Sequence, residues 1–140
     1  MTFVDYKQPA TIRTSAILTD AYVAGNVLGA ETSSVAAPAE KAKVNEYNQL
    51  ILYVTFTKGS LTSAEFKVEF SPDNSTFYQE SAMLIAGGTI TDSIAEHTIT
   101  ASGNYRIAIP MNDRYVRVSA KGTGTMTSSV MGITAILGVN

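Results

Sequence analysis

The chain contains no cysteine, which removes disulfides and every thiolate metal site from consideration. It has no tryptophan and a single histidine, His97. A zinc centre would have to be assembled from carboxylates around that one imidazole. Nowhere does the sequence approach the ~20 consecutive apolar residues needed to span a bilayer as a helix. The opening MTFVDYKQPA lacks the basic start and apolar run of a secretory signal, so synthesis in the cytoplasm and no membrane association are expected. Basic charge is thin and scattered: ten Lys and Arg against twelve Asp and Glu give a net charge of -2. Lys41 and Lys43, the nearest approach to a cluster, are flanked by Glu40 and Glu46. The clustered positive charge that grips nucleic acid is missing, and no nucleic-acid partner is expected.

What the sequence has is alternation. Between Leu50 and Thr57, Leu50, Leu52, Val54 and Phe56 share one face and Ile51, Tyr53, Thr55 and Thr57 the other. After Lys58-Gly59-Ser60, Phe66, Val68 and Phe70 oppose Glu65, Lys67 and Glu69. Successive strand residues point to opposite sides, so a two-residue period marks strands rather than helices. The first run reads as a central strand covered on both faces. The second reads as its hairpin neighbour, with the charged face in water.

The rest of the chain continues this pattern. Two short strands are expected within residues 11–28, and another from Phe77 to about Leu84, beyond the turn Ser71-Pro72-Asp73-Asn74-Ser75. Ala86-Gly87-Gly88 breaks the chain before a polar strand pair or edge over 90–100. Tyr105 to Ile109, Arg114 to Lys121 and Ser129 to Val139 alternate in turn, with Gly132 as a candidate bulge. Seven to nine strands at this spacing predict an all-β, two-sheet antiparallel β-sandwich of jelly-roll or Greek-key type. No strand–helix–strand succession points to a parallel α/β sheet. Residues 1–46 read as an extended N-terminal arm followed by a loop-rich segment packing on the domain, and residues 47–140 as the sandwich core of a single domain. Within the first part, residues 29–46 bring only Val35 and Val44 for burial.

No catalytic pattern stands out. His97 reads as a surface strand histidine, with Glu96 on the opposite face. Glu65 and Glu69, on either side of Lys67, read as a solvated strand face rather than a cleft pair. Asp73 and Asp113 fall in turns, where Asp bonds its own backbone. The aromatics Tyr53, Phe56, Phe66, Phe70, Phe77, Tyr78, Tyr105 and Tyr115 could stack on a sugar, but alternating strands send most of them to the core. The expectation is a non-enzymatic protein without cofactor or metal.

The run EFKVEFSPDNSTFYQES and the later YRIAIPMNDRYVRVSAKGTGTMTSSVMGITAILG resemble a type of small β-sandwich protein found among tailed-bacteriophage structural gene products. There a strand closes on a Ser-x-Asp-Asn/Gly turn before an aromatic, and an RYVRV strand precedes a Thr/Gly-rich turn and a final apolar strand. The resemblance covers Leu50 to Gly138 and departs at Phe77, where such modules often have Trp. It implies a virion protein, foremost a capsid decoration (cement) or auxiliary head protein of the capsid decoration/auxiliary head type, bound to the major capsid protein or other virion proteins as a homo-oligomer, with a trimer favoured. A carbohydrate-binding module and a tail or baseplate adaptor are the alternatives. The expected partner-binding residues are Phe3, Val4 and Tyr6 in the arm and Val35 and Val44 in the 29–46 segment.

Overall fold

The computed structural model describes residues 5–6, 9–29, 49–111 and 113–139. Every regular element among them is a strand: β1 (Asp5–Tyr6), β2 (Ala10–Ala16), β3 (Val23–Ala24), β4 (Leu28–Gly29), β5 (Gln49–Thr57), β6 (Leu61–Ser71), β7 (Tyr78–Gln79), β8 (Ser81–Ala86), β9 (Thr89–Ile94), β10 (Glu96–Ile99), β11 (Gly103–Pro110), β12 (Tyr115–Gly124) and β13 (Val130–Val139). The first sheet runs β1-β13-β5-β11, with β2 also on β13, and the second runs β10-β6-β12-β3, with β4 on β12 and β7 on β6. β8 and β9 form a separate hairpin. All pairings are antiparallel.

Consecutive strands are split between the sheets: β2 from β3 and β4, β5 from β6, β10 from β11, β12 from β13. This is the wrapping of a jelly roll, and it confirms the antiparallel sandwich. It also corrects the expectation of a β5–β6 hairpin. The three residues after β5 carry the chain across the core, so β5 pairs with β13 and β11, and β6 with β12, β10 and β7. Residues 10–29, where two short strands are expected, contribute β2 to the first sheet and β3 and β4 to the second. Of the expected arm, Asp5–Tyr6 pairs with Val139 and Gly138. The 29–46 segment lies outside the described residues apart from Gly29.

The interior is made by the alternating residues of both sheets. Leu50, Leu52, Val54 and Phe56 of β5 and Met131, Ile133, Ala135 and Leu137 of β13 meet Ala64, Phe66, Val68 and Phe70 of β6 and Val116, Val118 and Ala120 of β12. Ile12 and Leu18 close one side and Ile99 the other. Each fully buried large side chain contributes roughly 1.5–3 kcal/mol relative to exposure, which is what holds the sheets face to face.

The burial of the two opening strands is the reverse of the sequence reading. On the outer face of β5 only Ile51 is buried, while Tyr53, Thr55 and Thr57 are exposed. On the outer face of β6, Glu65 and Glu69 are 7% and 6% exposed. Side chains from strands distant in sequence cover them.

The crossing after β5 depends on Gly59, whose φ is +56°. A Cβ there would stand 2.6 Å from the Ser128 backbone of the β12–β13 crossing. Gly87, at φ +58°, would meet nothing within 4 Å. Gly59→Ala and Gly87→Ala both incur the left-handed penalty of about 1–2 kcal/mol, but only the first also collides with backbone. Urea denaturation is expected to show the larger loss for Gly59→Ala; equal losses would contradict the packing of one crossing on the other.

Candidate functional site: the charged face of the second sheet

The densest assembly of polar side chains among the described residues lies on the outer face of the second sheet. Its origin is register. β6 and β12 pair with Glu69 opposite Arg117, Lys67 opposite Ser119 and Glu65 opposite Lys121. Paired residues share a face at close range, so alternation on two strands becomes a lattice of opposed charges. Phe66, Val68 and Phe70 are thereby turned inward.

Glu69 is its most constrained member. Arg117 approaches as a fork, Nη2 at 3.3 Å from Oε2 and Nε at 3.4 Å from Oε1. The Ser119 hydroxyl donates to Oε1. Burial pushes the Glu69 carboxyl up, but the bonds from Ser119 and Arg117, with the charges of Arg117 and Lys67, outweigh it and hold the group below its ordinary value. Arg117 in turn lies 4.0 Å above the Phe77 ring, which shields one guanidinium face and adds a cation–π attraction. Glu65 accepts from the Ser63 hydroxyl and, at 2.9 Å, from Thr123 Oγ1.

A strap crosses this lattice. Tyr22, next to the edge strand β3, places its ring under two ammonium groups, Lys67 Nζ at 4.5 Å and Lys121 Nζ at 4.9 Å. Its hydroxyl donates to Glu96 on β10, at the opposite edge. Burial, the bond to Glu96 and the charges of Glu96 and Glu65 together raise the phenol far above its ordinary value. Lys67 Nζ also donates to Gln79 on β7 at 2.6 Å. The carboxylates of Glu65 and Glu69 are engaged by hydroxyls and guanidinium and serve to fix strand register. Among the described residues no group of three or more His, Asp and Glu side chains is placed to hold a metal ion.

Residues singled out in the sequence scatter over the fold. Phe3, Val4, Val35 and Val44 lie outside the described residues. Tyr6 is in β1, opposite Gly138. His97 is not a surface residue: it faces inward beside Phe66, half-buried, with ring centroids 4.9 Å apart and planes 13° from parallel. Glu96 points to the other face, as alternation requires. Asp73 does bond its own turn, accepting from the Ser75 and Thr76 amides at 2.9 Å. The aromatics make no single platform: Phe56, Phe66 and Phe70 are core, Phe77 lies under Arg117, and Tyr53 and Tyr78 are exposed on different sheets. The sequence reading missed the roles of Tyr22, Phe77, Gln79 and Thr123. Its one available signal was the matching alternation of Glu65-Lys67-Glu69 and Arg117-Ser119-Lys121.

Two outcomes follow from this chemistry. Ser119→Ala removes a hydrogen bond to a charged acceptor, with an expected cost of roughly 1.5–3 kcal/mol near neutral pH. It also moves the Glu69 carboxyl up toward 4.5, readable by NMR titration; an unmoved carboxyl would show that Ser119 does not hold it. Burial lowers the pKa of His97 below 6.5, so the unfolded chain takes up its proton first. That contribution to stability is whole above the unfolded value and is lost progressively as pH falls from there through the lower folded value. Thermal melts from about pH 8 to about pH 5 should show this loss in the wild type and not in His97→Gln.

No family model matches the chain, and no curated protein matches it. Its fold is similar to that in the crystal structure of the SPBc2 prophage-derived protein YomS, with a TM-score of 0.54 at 13% sequence identity, over 99% of this chain and 96% of that one. At this identity the likeness is one of fold: two chains of matching extent built on the same all-β plan.

Proposed function

We propose that this protein is a non-enzymatic structural component of a phage particle, foremost a capsid decoration or auxiliary head protein that binds the assembled particle as an oligomer. The observation that carries the reading is the end-to-end structural match to a prophage-derived protein, which covers 99% of this chain. The architecture is compatible with a passive building block. The two sheets enclose an interior filled by side chains, and the buried carboxylates of the outer face are tied into hydrogen bonds. Its partners in this reading are the major capsid protein or other virion proteins, and its place is the virion, after synthesis in the host cytoplasm.

Quantitative mass spectrometry of purified particles from the encoding phage, with heads and tails separated, tests the proposal. The chain is expected in the head fraction at a fixed ratio to the major capsid protein, and added recombinant protein is expected to co-sediment with heads that lack it. Recovery in the tail fraction alone would replace the head assignment by an adaptor role. Absence from both would overturn the structural reading, and saturable binding of a glycan by such a protein would favour the carbohydrate-binding alternative.

A further inference from the structure

The β8–β9 hairpin stands apart from the sandwich. Its root is closed at the edge of β6, where the Glu80 amide donates to Val68 O at 3.4 Å and the Ala95 amide to Glu80 O at 2.9 Å. Beyond that point β8 and β9 pair only with each other, from Ser81 opposite Ile94 to Ala86 opposite Thr89. Six residues per strand at about 3.3 Å each give an arm roughly 20 Å long. Its tip is apolar: Ile85 and Ile90 face each other across the strands and are 69% and 62% exposed. A two-stranded hairpin is marginally stable in water on its own, and this one presents hydrocarbon at its far end.

The arm is also one-sided in charge. From Val68 to Tyr105 the sequence holds no Lys or Arg but contains Glu69, Asp73, Glu80, Asp92 and Glu96. Asp92 lies on the arm itself, with Glu80 at its root and Glu96 directly after it. The outer face of the first sheet has the opposite character. Its strands hold Arg13, bonded to the Met131 and Ile17 carbonyls, and Arg106; the one acid among them, Asp5, lies in the edge strand β1. Arg106 is exposed and sits opposite Tyr53, 38% exposed, with Val130, 37% exposed, on the same sheet.

We infer that the hairpin arm of one copy docks on the Tyr53–Arg106 face of a second copy, burying Ile85 and Ile90 against tyrosine and placing Asp92 near Arg106. The two surfaces are different patches of the same chain, so the contact is heterologous and passes from copy to copy. It rests on the charge and apolar complementarity of this chain and not on the phage reading.

Sedimentation velocity on the isolated full chain, over a concentration series at low and high salt, tests it. The wild type is expected to associate, more weakly as salt rises. Ile85→Asp with Ile90→Asp, and separately Arg106→Glu, should each weaken association roughly tenfold or more. These positions are exposed, and an unchanged circular dichroism spectrum will confirm that each variant is folded. Asp92→Arg should weaken association likewise, and combining it with Arg106→Asp should restore it. A wild type that stays monomeric up to its solubility limit would overturn the inference, as would association indifferent to all of these substitutions. Either result concerns the isolated chain and leaves the particle experiment to decide its own question.

Discussion

The pairing of β6 with β12 fixes more of this molecule than any other contact. One register places Phe66, Val68 and Phe70 among the core residues and at the same time sets Glu69 opposite Arg117 and Lys67 opposite Ser119. β6 therefore has no solvent face in its middle. Hydrocarbon burial secures one side and charge-assisted hydrogen bonds the other. A slip of one residue would turn Glu65, Lys67 and Glu69 into the interior and the phenylalanines into water. Few alternative pairings could be penalised so heavily on both sides, and the remaining strands assemble around a pair whose alignment is unambiguous.

Strand positions were legible in the sequence because the two-residue period reports directly which side chains share a face. Leu50 to Phe56 and Phe66 to Phe70 sit where alternation puts them. Pairing was not legible. A three-residue break such as Lys58-Gly59-Ser60 can close a hairpin or carry the chain between sheets, and local pattern does not distinguish the two. Here it crosses, and Gly59 fits because the second crossing comes within contact distance at Ser128. Burial of Glu65 and Glu69 was misread for a related reason. Their cover comes from Arg117, Ser119 and Thr123, about fifty or more positions later in the chain. No window around residue 67 contains that information.

The polar face shows how a thin sandwich can stiffen its outer surface. Flexible cations are held against aromatic rings, Arg117 on Phe77 and the two lysines on Tyr22. Tyr22 also joins the region beside β3 to β10 on the far edge. Such a strap ties together strands that share no backbone hydrogen bonds and resists shear of the sheet. The β8–β9 hairpin, whose strands pair only with each other, has no such bracing.

The position of β13 bears on how the protein comes into being. It lies between β2 and β5 in the first sheet, and its contact with β2 spans 118 residues between Met131 and Arg13. On the ribosome, β2 and β5 emerge long before the strand that joins them, so that half of the sandwich has to wait with its apolar side uncovered. Closure of such a distant loop belongs to the slow end of folding, in milliseconds to seconds. The first sheet therefore cannot be completed until Val130–Val139 is available to pair with both neighbours.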